Sequence, residues 1–209
     1  EFWRSSLAEK LITEKGQAKV IFARNVIPHV SELLDVIRGI QIALKNDGVG
    51  IIEFHDAGQI LKELHYDSIY HEHLCFFSIE SISYLLNRFE LNAFHIEKSP
   101  ISGGSKVIYF SKEKRIISDN LHNAIKQENK NKVNKSSSWK NFADRAIAHR
   151  KDTLEIIDSF DQKTVIGFGS SARSQTYLNY CGINNKQINA IIDNNGLKQG
   201  MFTPGSSIP

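Results

Sequence analysis

Apolar residues along the chain alternate between short runs and helical stripes. Residues 3–15 read as a helix, and residues 18–24 (Ala-Lys-Val-Ile-Phe-Ala-Arg) form an apolar run of strand length. Asn25-Val-Ile-Pro28 breaks that run. Val30, Leu33, Leu34, Ile37 and Leu44 then fall at helical spacing, with Pro28 and Ser31 as start signals and Asn46-Asp-Gly48 as the stop. Val49–Phe54 reads as a second strand, and a short helical piece follows around Gln59–Leu64. Ser78 is placed to cap a helix whose apolar face is Ile79, Ile82, Leu85, Leu86 and Phe89. Leu91–Ile96 and Lys106–Phe110 are two further strands, and the short Gly-Gly connection between them predicts an antiparallel pair.

Residues 113–137 are polar, with Lys126, Lys130, Lys132 and Lys135 among asparagines. They read as a solvated helix face or a linker and mark the expected domain boundary, giving domains 1–118 and 119–209. A helix from about Trp139 to Phe160 comes next. The strand Thr164–Phe168, the turn Gly169-Ser-Ser-Ala-Arg173, a helix through Tyr180 and the strand Ile188–Ile192, ending in Asp193, complete the pattern. A glycine turn at a helix N-terminus is a place where backbone N–H groups favour an anion, although packing explains many such glycines equally well. The fold class expected is α/β.

Composition narrows the function classes. Twenty-six basic and twenty-three acidic residues give a net charge of +3 over 209 residues, too balanced to indicate nucleic acid. No stretch approaches the roughly 18 apolar residues of a membrane span, and no secretory signal opens the chain. Cys75 and Cys181 lie far apart among hydrophobic or aromatic neighbours and read as free thiols. A cytoplasmic protein is expected. Glu1-Phe2-Trp3 and the closing Pro204-Gly-Ser-Ser-Ile-Pro209 suggest a piece of a longer protein.

The densest chemistry lies in Tyr66-Asp-Ser-Ile-Tyr-His-Glu-His-Leu-Cys-Phe-Phe77. Histidine changes charge near neutral pH, and a neighbouring carboxylate can orient it. A catalytic centre, a satisfied polar network and a metal site are all open readings of these residues alone. His71 and His73 are two positions apart and so point to opposite sides of an extended chain.

Read together, several segments resemble the sugar C-methyltransferases. They are Ala23-Arg-Asn-Val-Ile-Pro-His29, Asp47-Gly-Val-Gly-Ile-Ile-Glu53, Asp67-Ser-Ile-Tyr-His-Glu-His73 and Gly103-Gly-Ser-Lys106. Gly167-Phe-Gly-Ser-Ser-Ala-Arg173, Leu178-Asn-Tyr-Cys-Gly182 and Asp193-Asn-Asn-Gly-Leu-Lys-Gln-Gly200 with Pro204-Gly205 continue the order over nearly the whole chain. The resemblance implies the second half of a class I, Rossmann-like methyltransferase sheet, followed by a smaller Rossmann-like domain that holds a nucleotide sugar. It implies transfer of a methyl group from S-adenosylmethionine to a ring carbon beside the keto group of a nucleotide-diphosphate ketosugar, as in deoxysugar biosynthesis. A four-cysteine zinc lobe and an acidic glycine-rich S-adenosylmethionine motif are usual in such enzymes. Neither is in this chain, which is expected to bind the cofactor poorly alone, and no metal ligands are assigned within it. Ser102 stands where the family usually has His, Arg173 where it has Lys, and His55 where proline is common.

By that resemblance His73 is the base that removes the proton beside the ketone. Glu72 and Tyr70 orient the sugar or the imidazole, and His29 is a polariser or proton relay. His71 reads as structural. Asn25 and Val26 are the cofactor-binding candidates. Gly103, Gly104 and Ser105 approach the sugar or simply form a hairpin turn, while Ser171 and Arg173 suit a diphosphate. Asp193 binds a ribose or base edge or begins a turn, and Lys198 reaches a phosphate or faces solvent. Two alternatives stand beside this reading: a non-catalytic nucleotide-sugar-binding module, and a related methyltransferase with a different acceptor.

Overall fold

The computed structural model describes residues 1–160 and 165–209, apart from the side chain of Ser102. The chain forms two compact units, residues 1–63 with 72–138, and residues 64–71 with 139–209. Helix α5 (Asp119–Lys130) was expected to open the second domain; it packs on the sheet of the first unit.

In the first unit α1 (Ser5–Lys15) leads into β1 (Ala18–Arg24), a 3-10 turn at Ile27–His29, α2 (Leu33–Ala43) and β2 (Leu44–His55). Then follow α3 (Ala57–Glu63), α4 (Ile79–Asn87), β3 (Asn92–Ser99) and β4 (Ser105–Ser111). The strand order is β1-β2-β4-β3, with β1 parallel to β2 and β4 antiparallel to both its neighbours. β3 therefore runs in the same direction as β1 and β2, with β4 inserted between them. The closing antiparallel pair is as predicted, and the α/β Rossmann-like class holds.

Alternation along the strands decides what is buried. Ile52, Phe54, Ile96, Ile108 and Phe110 share one face and form the core with Val36, Ile37 and Ile40 of α2 and Ile82, Leu85 and Leu86 of α4. Val20 and Phe22 lie on the opposite face of β1 and are 59% and 57% exposed. Two boundaries differ from expectation. α2 stops at Ala43 and the chain enters β2 at once, because Leu44 is already fully buried and paired with Ala18.

Ser78 caps α4 as its sequence indicates. The Ser81 N–H donates to Ser78 Oγ at 3.1 Å, and the Ser78 N–H donates to Ser81 Oγ at 2.9 Å. A second cap comes from α5. Buried Glu128 accepts the Ile79 N–H at 2.6 Å and the Glu80 N–H at 3.0 Å, and it is itself held by Asn134 at 3.0 Å. α5 is thus a packed helix whose Leu121, Ala124 and Ile125 join the core.

The second unit contains a 3-10 turn at Tyr66–Ser68, most of α6 (Ser136–Asp158), β5 (Ile166–Phe168), α7 (Ala172–Cys181) and β6 (Ala190–Ile192). β5 and β6 are parallel and α7 connects them, as the expected strand–helix–strand unit requires. Thr164, expected to begin the first of these strands, lies outside the described residues. Leu178, Cys181, Ile183, Ile188 and Ile208 form the core of this unit.

Gly50 offers a direct check of packing in the first unit. A Cβ at that position would lie 2.1 Å from the Phe110 ring, which crosses the strand opposite. Gly50→Ala is expected to cost about 1–3 kcal/mol through overpacking, read as a lower urea midpoint. A wild-type midpoint would mean that the Phe110 ring swings away freely.

Candidate active site

β1 and β2 are parallel, so their carboxyl ends open on the same side, where open α/β sheets place ligands. Asn25 follows β1 with φ of 50°, in the left-handed region, and its N–H donates to the Glu53 carbonyl at 3.2 Å. The chain turns sharply there, leaving Val26 partly exposed while Ile27 and Pro28 are buried.

This turn holds the histidine segment. The Pro28 carbonyl accepts the Leu74 N–H at 2.8 Å and the Cys75 N–H at 3.2 Å. His29 Nδ1 lies 2.9 Å from the Glu72 carbonyl oxygen. A carbonyl only accepts, so Nδ1 carries the proton, and in the tautomer that fits this contact Nε2 is the unprotonated ring nitrogen. The rings of His29 and His73 are 4.9 Å apart at 54°, and His73 meets Phe76 edge-on at 6.0 Å. His29, Glu72 and His73 therefore come together in the first unit. Tyr70 and His71 belong to the second, with their rings 6.2 Å apart.

Glu53 had no role in the sequence reading. It is buried at the end of β2 and takes Arg24 Nε at 2.9 Å and the Ser99 hydroxyl at 2.7 Å. A single charge inside the run Ile51-Ile52-Glu53-Phe54 was the available signal. Next along the chain, Asp56 is also buried, with Lys106 3.9 Å away, and burial raises its carboxyl above the usual range. The pair lines a cavity of about 690 Å³ with Gln59, Glu128 and Asn123.

Gly103 and Gly104 turn the chain between β3 and β4 with φ of 81° and 129°. A Cβ on Gly104 would meet Gln59 Cγ at 2.7 Å. Ser105 is buried, and its hydroxyl donates to the Ile101 carbonyl at 3.0 Å. The hairpin geometry thus accounts for this glycine pair. Ser102, which departs from the family pattern, has its side chain outside the described residues.

In the second unit the glycine turn brings the remaining candidates together and pairs them internally. Gly169 takes φ of 87°, and its N–H donates to the Ile192 carbonyl at 2.8 Å. Asp193 accepts the Ser170 N–H at 2.7 Å and the Asn195 N–H at 2.8 Å. Lys198 Nζ donates to the Ser170 carbonyl at 2.6 Å and reaches Asp193 at 3.3 Å. Ser171 caps α7 in a capping box with Ser174. Arg173 forks onto Asp67, Nε at 2.8 Å and Nη2 at 2.9 Å. Among the described residues, no group of three or more His, Cys, Asp or Glu is arranged to hold a metal ion, and no helix is long and apolar enough to cross a membrane.

Residues 100–209, more than half of the chain, match the family described as the C-methyltransferase C-terminal domain. The chain belongs to the C-methyltransferase family. Residues 3–96 match a methyltransferase domain. The C-methyltransferase NovU of Streptomyces niveus is 26% identical over 209 residues, covering 98% of this chain and 50% of that protein. The chain thus spans half the length of this relative. An O-methyltransferase family protein from Burkholderia thailandensis aligns at 14% identity and a TM-score of 0.37, over 52% of this chain and 34% of that one.

In this C-methyltransferase chain the Asp193 carboxyl is held below its ordinary value, first by the Asn195 N–H and then by the Ser170 N–H. A depressed folded-state value means that its stabilisation is complete above the unfolded value of 3.8 and is lost as pH falls through the lower folded value. Asp193→Asn is expected to lower the melting temperature at neutral pH. The gap to wild type should close below about pH 4, and a gap constant from pH 7 to pH 3 would remove the carboxylate from this role.

Proposed function

We propose that the chain supplies the proton-transfer and acceptor-binding part of a C-methyltransferase. The acceptor is a nucleotide-linked sugar, methylated at a ring carbon beside its keto group. The observation that carries the reading is the His29–Glu72–His73 group at the carboxyl end of the parallel strands, with two imidazoles 4.9 Å apart and one of them fixed in its tautomer.

A C–H beside a ketone loses its proton only to a positioned base, and the resulting enolate oxygen needs donors or positive charge. His73 takes that proton. The imidazolium so formed lies beside His29, whose Nε2 can accept the proton and release it to solvent while Nδ1–H stays on the Glu72 carbonyl, so His29 is a proton relay or polariser. Glu72 and Tyr70 orient the acceptor. Asn25 and Val26, at the turn after β1, suit contact with S-adenosylmethionine, because the left-handed Asn25 turns the backbone away from the strand there. When bound, that cofactor supplies the electrophilic methyl group that the enolate carbon attacks. Ser171, Arg173, Asp193 and Lys198 form the proposed nucleotide-sugar side.

One observation favours a second reading, a methyltransferase whose acceptor carries no diphosphate. The two cations expected to hold phosphates, Arg173 and Lys198, are each joined to a carboxylate, Asp67 and Asp193.

Proton abstraction can be tested apart from methyl transfer. Incubation in deuterium oxide with a thymidine-diphosphate 4-ketosugar is expected to introduce deuterium at the carbon beside the ketone. His73→Ala should slow this exchange by about 100-fold or more, with an unchanged circular dichroism spectrum. Exchange at the wild-type rate in that variant would remove His73 as the base. Isothermal titration with the same sugar and with a diphosphate-free ketosugar separates the two acceptor readings, since the first predicts binding of the former only.

A further inference from the structure

Residues 64–71 belong to the second unit, yet they lead directly into Glu72 and His73 of the first. This segment has a single turn of regular structure, Tyr66–Ser68, and side chains fix it. Tyr66 is buried, its hydroxyl 2.9 Å from His149 Nδ1 and its ring against those of Tyr177 and Tyr180. Ser68 is fully buried, and its hydroxyl donates to the His65 carbonyl at 2.6 Å. Between them Asp67 receives both arms of the Arg173 fork.

The pair joins positions 106 apart in the chain. The side chains are 32% and 26% exposed, so water screens the charges only in part. Its geometry is strict, because two parallel N–H···O bonds fix direction as well as distance. α7 is capped by Ser171 and Ser174, and the unit has its own core in Leu178, Cys181, Ile183, Ile188 and Ile208. A contact that imposes strict geometry is suited to orientation.

We propose that Asp67 and Arg173 are a positioning pair for the proton-transfer segment. The fork seats residues 64–71 on the first turn of α7 and so sets the direction in which the chain enters Tyr70. The inference rests on reading that segment as the proton-transfer centre. It gives Arg173 a role different from the phosphate contact proposed above. Beyond it, Glu72, Leu74 and Cys75 are held within the first unit, by His29 and Pro28.

The test uses Asp67→Asn and Arg173→Lys, which keep size or charge while losing the fork. Amide hydrogen exchange is expected to accelerate about 10-fold at residues 64–71 and to stay at the wild-type rate in α7 after its first turn. Unchanged exchange at 64–71 overturns the clamp. In the deuterium-incorporation assay both variants should lower kcat about 10-fold with the ketosugar KM within twofold, since misorientation affects the reacting geometry and not the binding. A raised KM at constant kcat in Arg173→Lys, with Asp67→Asn silent, overturns the proposal and assigns Arg173 to the acceptor's charge. A wild-type protein that incorporates no deuterium would instead sink the proton-transfer reading, and the positioning role with it.

Discussion

Two backbone carbonyls, those of Pro28 and Glu72, set where His73 can stand. Residues 70–76 have no helix or strand of their own, so their backbone groups need partners elsewhere. The Pro28 carbonyl takes two of the N–H groups, and the Glu72 carbonyl takes the Nδ1 proton of His29. The imidazole position is thereby inherited from the end of β1. That end is fixed in turn by pairing of Arg24 with Glu53 across the parallel strands and by the Asn25 N–H on the Glu53 carbonyl. A shift of β1 against β2 would carry the whole histidine group with it.

Carboxylates supply directional contacts within each unit. Glu53 ties Arg24 to Ser99, Glu128 caps α4 from α5, Asp193 closes the glycine turn, and Asp67 takes the Arg173 fork. Apolar burial holds each unit together but is non-directional, and a core of Ile, Leu and Phe tolerates small rotations of its helices. Charge-assisted hydrogen bonds are short and oriented, so they select one arrangement among those the core would accept. Burying Glu53 and Glu128 carries a desolvation penalty, offset because each oxygen has a donor.

The first turn of α7 illustrates how such contacts bear on ligand choice. A helix N-terminus attracts anions through its unpaired N–H groups and dipole. Here Asp193 already occupies the Ser170 N–H, and the Ser174 N–H is taken by Ser171. Arg173 and Lys198 share their charge with carboxylates. A phosphate that bound at this turn would exchange partners with these groups, and its gain would be the difference between two sets of charge-assisted bonds. Shape and bond geometry then weigh more in selection than net charge does.

Local patterns carried the fold. The apolar runs at 18–24 and 49–54, the Ser78 cap and the glycine pair before Lys106 each act through neighbours a few residues away, and the corresponding strands, helix and hairpin stand where these signals put them. α5 was obscured because its lysines and asparagines outnumber the few apolar positions, Leu121, Ala124 and Ile125, that face the core. The site was legible only in part, for a related reason. Tyr70, Glu72, His73 and His29 are conspicuous as residue types, but the tautomer of His29 depends on a carbonyl 43 positions away and the fork of Arg173 on a carboxylate 106 positions away. No periodicity records such a pairing, because its two halves lie in segments whose local patterns are each already satisfied. A candidate list drawn from residue types therefore misses the partners that hold such segments, and Asp67 and Glu53 were missed in this way.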